Sequence, residues 1–329
     1  MELLTSLETL FLTLAMMEFI IGMLGNVFIG LVNCYGWVKT RKISFFDLIL
    51  TGLAVSRISQ LLVYFLESLV MGPYPELYTT YKLAKPCSFL WRITNHLTTW
   101  LATCLSVVYF LKIAQYSHPL FLWLKRRMNR VVLVTLAFSL LFLIFDFLLL
   151  ETFNDAFQDY PTRHALNLTS FSDRRKSLHV QSLIFLSLTY CIPIAVTLIS
   201  LLFLFWSLVR HTRNLQLNSL GPRDTSTEAH KKAMKMMMSF LFLVMVHSIS
   251  TISSNWIFHM FWSSKFIRLL MLAVYIFPLG HSLILILGNS KLRRTALKGL
   301  CHLQNFFMTT FGLLRRTLHS LFRNKDLKK

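Results

Sequence analysis

The chain has 329 residues, 55% of them hydrophobic, with a formal charge of +20 and a mean hydropathy of +0.56. So apolar a composition excludes a pair of soluble domains, and no Gly/Ser- or Pro-rich linker divides the sequence. The charge is not that of a nucleic-acid binder either, because most of its basic residues fall on alternate connections between apolar stretches.

Crossing the hydrocarbon core of a bilayer takes about 20 apolar residues. Seven stretches meet that length, at 9–34, 46–70, 88–112, 131–151, 181–208, 236–258 and 266–288. Each is expected to be helical, because lipid offers no partner to a free backbone N–H or C=O. The segment before the first stretch has neither a basic n-region nor a small-residue cleavage site, so the first span should itself act as the targeting signal. Pro73 and Pro75 end the second span, Pro86 precedes the third, and Gly221-Pro222 marks a turn in the third basic connection. Pro193 and Pro278 fall inside spans five and seven, where each removes a backbone donor and should kink its helix, as a fixed bend or a hinge. After Gly288, Leu292, Leu297, Leu300 and Leu303 alternate with basic residues. That pattern predicts an amphipathic helix on the inner leaflet, with Cys301 either a plain thiol or an acylation site. The predicted division is therefore a helix bundle over 1–290 and a basic tail over 291–329.

The basic residues set the expected topology. Those after spans one, three, five and seven number 24, against 8 in the other connections. The basic side is cytoplasmic, so the N-terminus should lie outside and the C-terminus inside, with the basic connections against anionic lipid headgroups. Asn167-Leu168-Thr169 is an acceptor sequence for N-glycosylation on the side assigned to the exterior. The five cysteines show no metal-ligand spacing. Only Cys87 lies near the outer face, and the long second outer loop has no cysteine to pair with it.

Polar groups inside a bilayer are costly, and each needs a reason. Glu18, Asn26, Arg57, Glu67, Asn95, His96, Asp146 and His247 are the cases here. Asn26 and Arg57 fall at mid-depth on neighbouring helices, where the guanidinium should find carbonyl or amide acceptors. Glu18 and Asp146 could be protonated, water-facing or at the lipid edge. Trp91, Asn95, Thr98 and Ala102 share one face of the third helix. An indole above an amide can line a cavity, or it can anchor at the interface while the amide bridges helices. There is no His-Glu-x-x-His, no Gly-x-Ser-x-Gly and no phosphate-binding glycine loop. No enzyme, cofactor or metal site is predicted.

Several segments together carry a family resemblance. They are Leu48-Ile-Leu-Thr-Gly-Leu-Ala-Val-Ser-Arg57; Trp100-Leu-Ala-Thr-Cys-Leu-Ser-Val-Val-Tyr-Phe-Leu-Lys-Ile-Ala114; and His118-Pro-Leu-Phe-Leu-Trp-Leu-Lys125. Further on come Ser207-Leu-Val-Arg-His-Thr212, Asp224, Ala229-His-Lys-Lys-Ala-Met-Lys235 and His281-Ser-Leu-Ile-Leu-Ile-Leu-Gly-Asn-Ser-Lys-Leu292. In this order and spacing the chain resembles the type 2 (bitter) taste receptors, a family of G-protein-coupled receptors. It shares that family's lack of an Asp-Arg-Tyr after span three and of an Asn-Pro-x-x-Tyr in span seven.

The resemblance implies a seven-helix plasma-membrane receptor for small bitter agonists, coupled to a gustducin-type heterotrimeric G protein that drives phospholipase C signalling. It places Trp91, Asn95 and His96 at cavity-lining positions and His247 near a position often aromatic in relatives. Met271 falls where some relatives carry an acidic group that meets basic ligands. A thioether there implies weaker preference for cationic compounds. Arg57, Tyr109, Lys112, His281 and Leu285 are the implied switch and coupling residues. Pro278-Leu-Gly-His-Ser282 departs from the family's Pro-Ser-x-His-Ser at Leu279, which puts one inter-helix hydrogen bond in doubt. The alternatives are a small-solute transporter, for which no half-to-half repeat is visible, and a pheromone-type receptor, against which the second- and seventh-helix motifs argue.

Overall fold

The computed structural model describes residues 2–42, 44–71, 84–158, 168–218, 225–260, 265–302, 304–305 and 308–310. Among them the regular structure is helical, with no strand. The helices are α1 (Glu2–Thr40), α2 (Phe45–Met71), α3 (Ala84–Ile113), α4 (Pro119–Arg126), α5 (Met128–Gln158), α6 (Leu168–Asn218), α7 (Thr225–Met260) and α8 (Lys265–Gly288). After a break at Asn289 comes α9, Ser290–His302. Among the described residues six helices are long and apolar enough to cross a membrane, or seven if α8 and α9 are counted as one broken span. At 24 residues, α8 is about 36 Å long, enough to cross the hydrocarbon core by itself.

The helices overrun the apolar stretches. Hydropathy marks only the part of a helix that lipid can cover, and backbone hydrogen bonding carries the helix on into water. The clearest case is α6, whose 51 residues make about 75 Å of helix around the stretch at 181–208. The sequence reading also left the segment after span three as a connection, whereas residues 119–126 form α4. His118 has extended backbone and its Nδ1 accepts from the Leu120 amide, and Pro119 occupies the first turn, where no donor is missed.

The chain forms two compact units, Met1–Ile284 and Leu285–Lys329. In the first, α3 is the central strut and packs on α2, α5 and α6, while α1 packs on α2 and α7 on α6. The apolar span of α3 is 61% buried, against 17% for that of α5. So α5 is the peripheral helix and turns Leu133, Val134, Leu140, Leu141, Ile144 and Leu148 outward, as a lipid-facing surface must. Two close approaches fix neighbouring helices. A Cβ on Gly22 would come within 2.9 Å of Leu61, and one on Gly280 within 2.9 Å of Leu243. At both positions the missing side chain leaves room for a leucine of the neighbouring helix. In the second unit, Asn289 caps α9, its Oδ1 accepting from the amides of Lys291 at 2.9 Å and Leu292 at 3.4 Å.

Candidate functional site

The polar groups singled out from the sequence lie along the bundle in three layers. The end of α3 near Pro86 is called the upper end, and the end carrying Lys112 the basic end.

At the upper end, Trp91 on α3 is half-buried against Tyr64 of α2 and Val274 of α8. One turn deeper, Asn95 is wholly buried and fully engaged. Its Oδ1 accepts from Gln60 Nε2 at 3.1 Å, and its Nδ2 donates to the Tyr190 hydroxyl at 2.9 Å. Gln60 also donates to the Tyr64 hydroxyl at 2.9 Å. The amide of α3 thus ties α2 to α6, its oxygen and its nitrogen each engaged with a different helix. On the same layer Arg92 and Asp146 pair at 2.8 Å between α3 and α5. The structure gives Asp146 a role that was not among those left open, an ion pair with Arg92.

His96 lies beside this pair. Its ring hydrogen-bonds to the Ser139 backbone on α5, while Nε2 is buried without a partner. His96, Thr99, Trp100, Phe142, Asp146, Thr189 and Tyr190 line a void of about 10 Å³ between α3, α5 and α6. That is room for about one water, whose hydrogen could satisfy an imidazole nitrogen with a free lone pair.

The middle layer holds Arg57, fully buried on α2. The sequence suggested carbonyl or amide acceptors near Asn26. The guanidinium instead donates to His281 Nδ1 through Nη2 and lies 3.5 Å from Ser282 Oγ through Nη1, both on α8. Asn26 joins through that serine. Ser282 Oγ is 2.8 Å from Asn26 Oδ1 and 2.6 Å from the Pro278 carbonyl, and its one proton serves either acceptor. Ser282, the second serine position of that segment, thus reaches Asn26 of α1, while Leu279 has no hydroxyl with which to add another bond. Around the guanidinium runs a stack of rings: His247 on Phe277 at 4.3 Å and His281 on Phe240 at 4.2 Å, with Arg57 5.3 Å from the Phe277 centroid. Phe240 and His247 are seven apart on α7, and Phe277 and His281 four apart on α8, so each pair shares a helix face. On the other side of α3, the Thr103 hydroxyl meets Thr197 at 2.9 Å and the Pro193 carbonyl at 3.2 Å, next to the proline that interrupts the α6 ladder.

At the basic end, Phe46 of α2 receives Tyr109 edge-on at 5.5 Å and Lys112 at 5.2 Å over its ring, so two implied coupling residues share one aromatic anchor. Tyr116, in the connection after α3, donates to the Phe203 carbonyl of α6 at 2.7 Å. Burial holds its phenol above the usual value, with the charge of Arg210 pulling the other way. In the second unit, Leu285 is buried and its carbonyl accepts the Asn289 amide at 2.9 Å. Met271 lies on α8, seven residues before Pro278. Asn167 lies outside the described residues. The sequence reading missed Gln60, Tyr64 and Tyr190, and named Ser282 only as part of the family segment. Glutamine and serine inside an apolar run were the only available signals.

These features define a polytopic membrane protein whose helices are joined by buried polar groups; among the described residues no cluster of His, Cys, Asp or Glu could hold a metal. The family model described as taste receptor protein (TAS2R) matches residues 3–304. Taste receptor type 2 member 42 of Pan troglodytes is 55% identical over 308 residues, covering 93% of this chain and 98% of its own. The receptor of the same name from Homo sapiens is also 55% identical over 308 residues, with the same coverage. Taste receptor type 2 member 7 of Papio hamadryas is 44% identical over 300 residues, covering 88% and 92%. The chain belongs to the taste receptor type 2 family, G-protein-coupled receptors that cross the plasma membrane several times.

Proposed function

We propose that this receptor detects small, largely apolar bitter compounds in a cavity at its upper end and activates a gustducin-type heterotrimeric G protein at its basic end. The family match over residues 3–304 carries this reading. It is supported by the charge asymmetry, which puts the N-terminus outside and the basic end in the cytoplasm. The receptor bundle is taken as residues 1–290, with 291–329 as a cytoplasmic amphipathic helix and basic tail. Trp91, Asn95, His96, His247 and Met271 are proposed to contact or shape the agonist site. Arg57, His281, Tyr109, Lys112 and Leu285 are proposed to relay the change, and Asn167 to carry glycan.

The mechanism is a population shift. An agonist that favours one arrangement of α3 against α2 and α6 must act on the Gln60–Asn95–Tyr190 ties. Those ties and the Arg57 cluster are discrete hydrogen-bonded states rather than a deformable continuum. The test is calcium release in cells co-expressing the chain and a gustducin-type G protein, screened with a panel of bitter compounds. Responses that require both components are expected. Silence across the panel from a receptor displayed at the surface would count against the reading. Antibody access to N- and C-terminal tags in unpermeabilised cells checks the orientation: only the N-terminal tag should be labelled.

A further inference from the structure

We infer that α4 and the start of α5 form a docking site for an anionic phospholipid. Only one side of α4 is covered by the bundle. Its inward side is used: Phe121 is buried, and Leu124 and Met128 pack on the same cluster as Leu111, Leu204 and Leu208. Its first turns are apolar on the outside too, with Leu120 59% exposed and Trp123 51% exposed. A short helix in bulk water has no reason to display a leucine and an indole. A helix at a membrane interface does, because an indole prefers the headgroup layer.

The charge is one-sided. Lys125, Arg126, Arg127 and Arg130 are exposed, and no Asp or Glu occurs between Asp47 on α2 and Asp146 on α5 except Glu67 and Glu76, which precede α3. The Arg127 guanidinium lies 5.1 Å over the Trp123 ring, which places a cation directly beside an interfacial aromatic. Lys125 turns back, donating to the Ala114 carbonyl at 3.2 Å and so holding the connection to the end of α3. Residues Lys125 to Arg130 line an open notch of about 520 Å³. The notch opens at the first turn of α5, where helix amides lack intrahelical acceptors.

Position selects lipid over a soluble anion or a protein. The apolar span of α3 ends at Ile113, and that of α5 begins at Met128, directly after Arg127. Both ends of α4 are therefore held at the boundary of the hydrocarbon, and an eight-residue helix of about 12 Å cannot leave the headgroup layer. Phosphate in the notch, with acyl chains against Leu120 and Trp123, satisfies the basic and apolar features together. The orientation proposed above would make this an inner-leaflet lipid. The site does not depend on which agonist or G protein the receptor uses.

The probe is phosphatidylglycerol. Full-length receptor is purified with phosphatidylcholine and phosphatidylglycerol, and retained lipid is counted by native mass spectrometry. A photoactivatable phosphatidylglycerol locates it on the unmodified chain. Cross-links are expected within residues 119–130. Arg126→Gln/Arg127→Gln/Arg130→Gln should bind phosphatidylglycerol roughly tenfold to a hundredfold more weakly, with phosphatidylcholine unchanged. Trp123→Ser should weaken binding less, with all charges kept. Cross-links from the unmodified chain that avoid this segment would overturn the proposal, even if the triple variant failed to fold. It would equally be overturned by a folded triple variant that retains phosphatidylglycerol but loses G-protein activation, which would assign the patch to a protein partner.

Discussion

Arg57 on α2 and His281 on α8 are hydrogen-bonded although 224 positions separate them, and both are buried. This contact joins the second and last helices of the bundle at mid-depth. Its neighbours are rings and hydroxyls, so the guanidinium is held by neutral acceptors and by the face of Phe277. Replacing Arg57 with Ala would remove the donor and leave His281 and a cavity behind. A loss of about 3 kcal/mol or more is expected. His281→Phe preserves the stacking on Phe240 but not the hydrogen bond, and should cost about 1–2 kcal/mol. Thermal unfolding of the purified receptor orders the two. Equal losses would mean that the shared hydrogen bond accounts for both, and that the cavity left by Arg57 costs nothing further.

Asn95 separates binding from scaffolding. It spends its amide on Gln60 and Tyr190, whereas Trp91 is only half-buried at the upper end. Asn95→Ala should lower agonist potency and also destabilise by about 1–3 kcal/mol, because buried partners on two helices lose their bonds. Tyr190→Phe should reproduce part of that destabilisation. Trp91→Ala should lower potency with a smaller thermal loss. Paired dose–response and unfolding measurements distinguish these effects. Full thermal stability in Asn95→Ala would show that the ties contribute nothing to the bundle.

The course of the spans was legible because lipid imposes a length and a polarity on every crossing helix, and those survive in one sequence. Arg57, Asn26, Asn95, His96 and His247 were legible as intramembrane polar residues for the same reason. Their partners were not. Ser282 and Gln60 look ordinary in a helix until tertiary packing sets them against Asn26 and Asn95. Asp146 was legible too, but its pairing with Arg92 is a fact of how α3 and α5 cross, which no local pattern records. In α4, eight residues are too few to establish a period. The His118-Pro119 pair was the readable start signal and went unused.

Breaking the Arg92–Asp146 pair should show strong non-additivity. Asp146→Leu leaves a guanidinium with 15% side-chain exposure and no counter-charge in this contact, while Arg92→Leu leaves a carboxylate with 6% exposure. Each single change should cost more than the double Arg92→Leu/Asp146→Leu, which removes both desolvated charges and fills the space with apolar side chains. A double-mutant cycle by thermal unfolding measures it. Additive losses would show that the two charges are solvated independently in the membrane-embedded receptor.

The Tyr116 tie at the basic end should depend on pH. Tyr116→Phe keeps the ring against Phe110, Phe121 and Phe203 but deletes the bond to the Phe203 carbonyl. A loss of about 1 kcal/mol is expected near neutral pH. Because burial raises the folded phenol above its usual value, the folded receptor holds this proton more tightly than the unfolded chain, whose tyrosine titrates near pH 10. The stabilisation is thus fully present below about pH 10 and is lost as the pH climbs through the folded value. The stability gap between wild type and Tyr116→Phe should therefore be constant from pH 6 to about pH 9 and close above about pH 10. A gap that widened with alkali would mean the folded state favours the phenolate, and that the charge of Arg210 outweighs burial at this site.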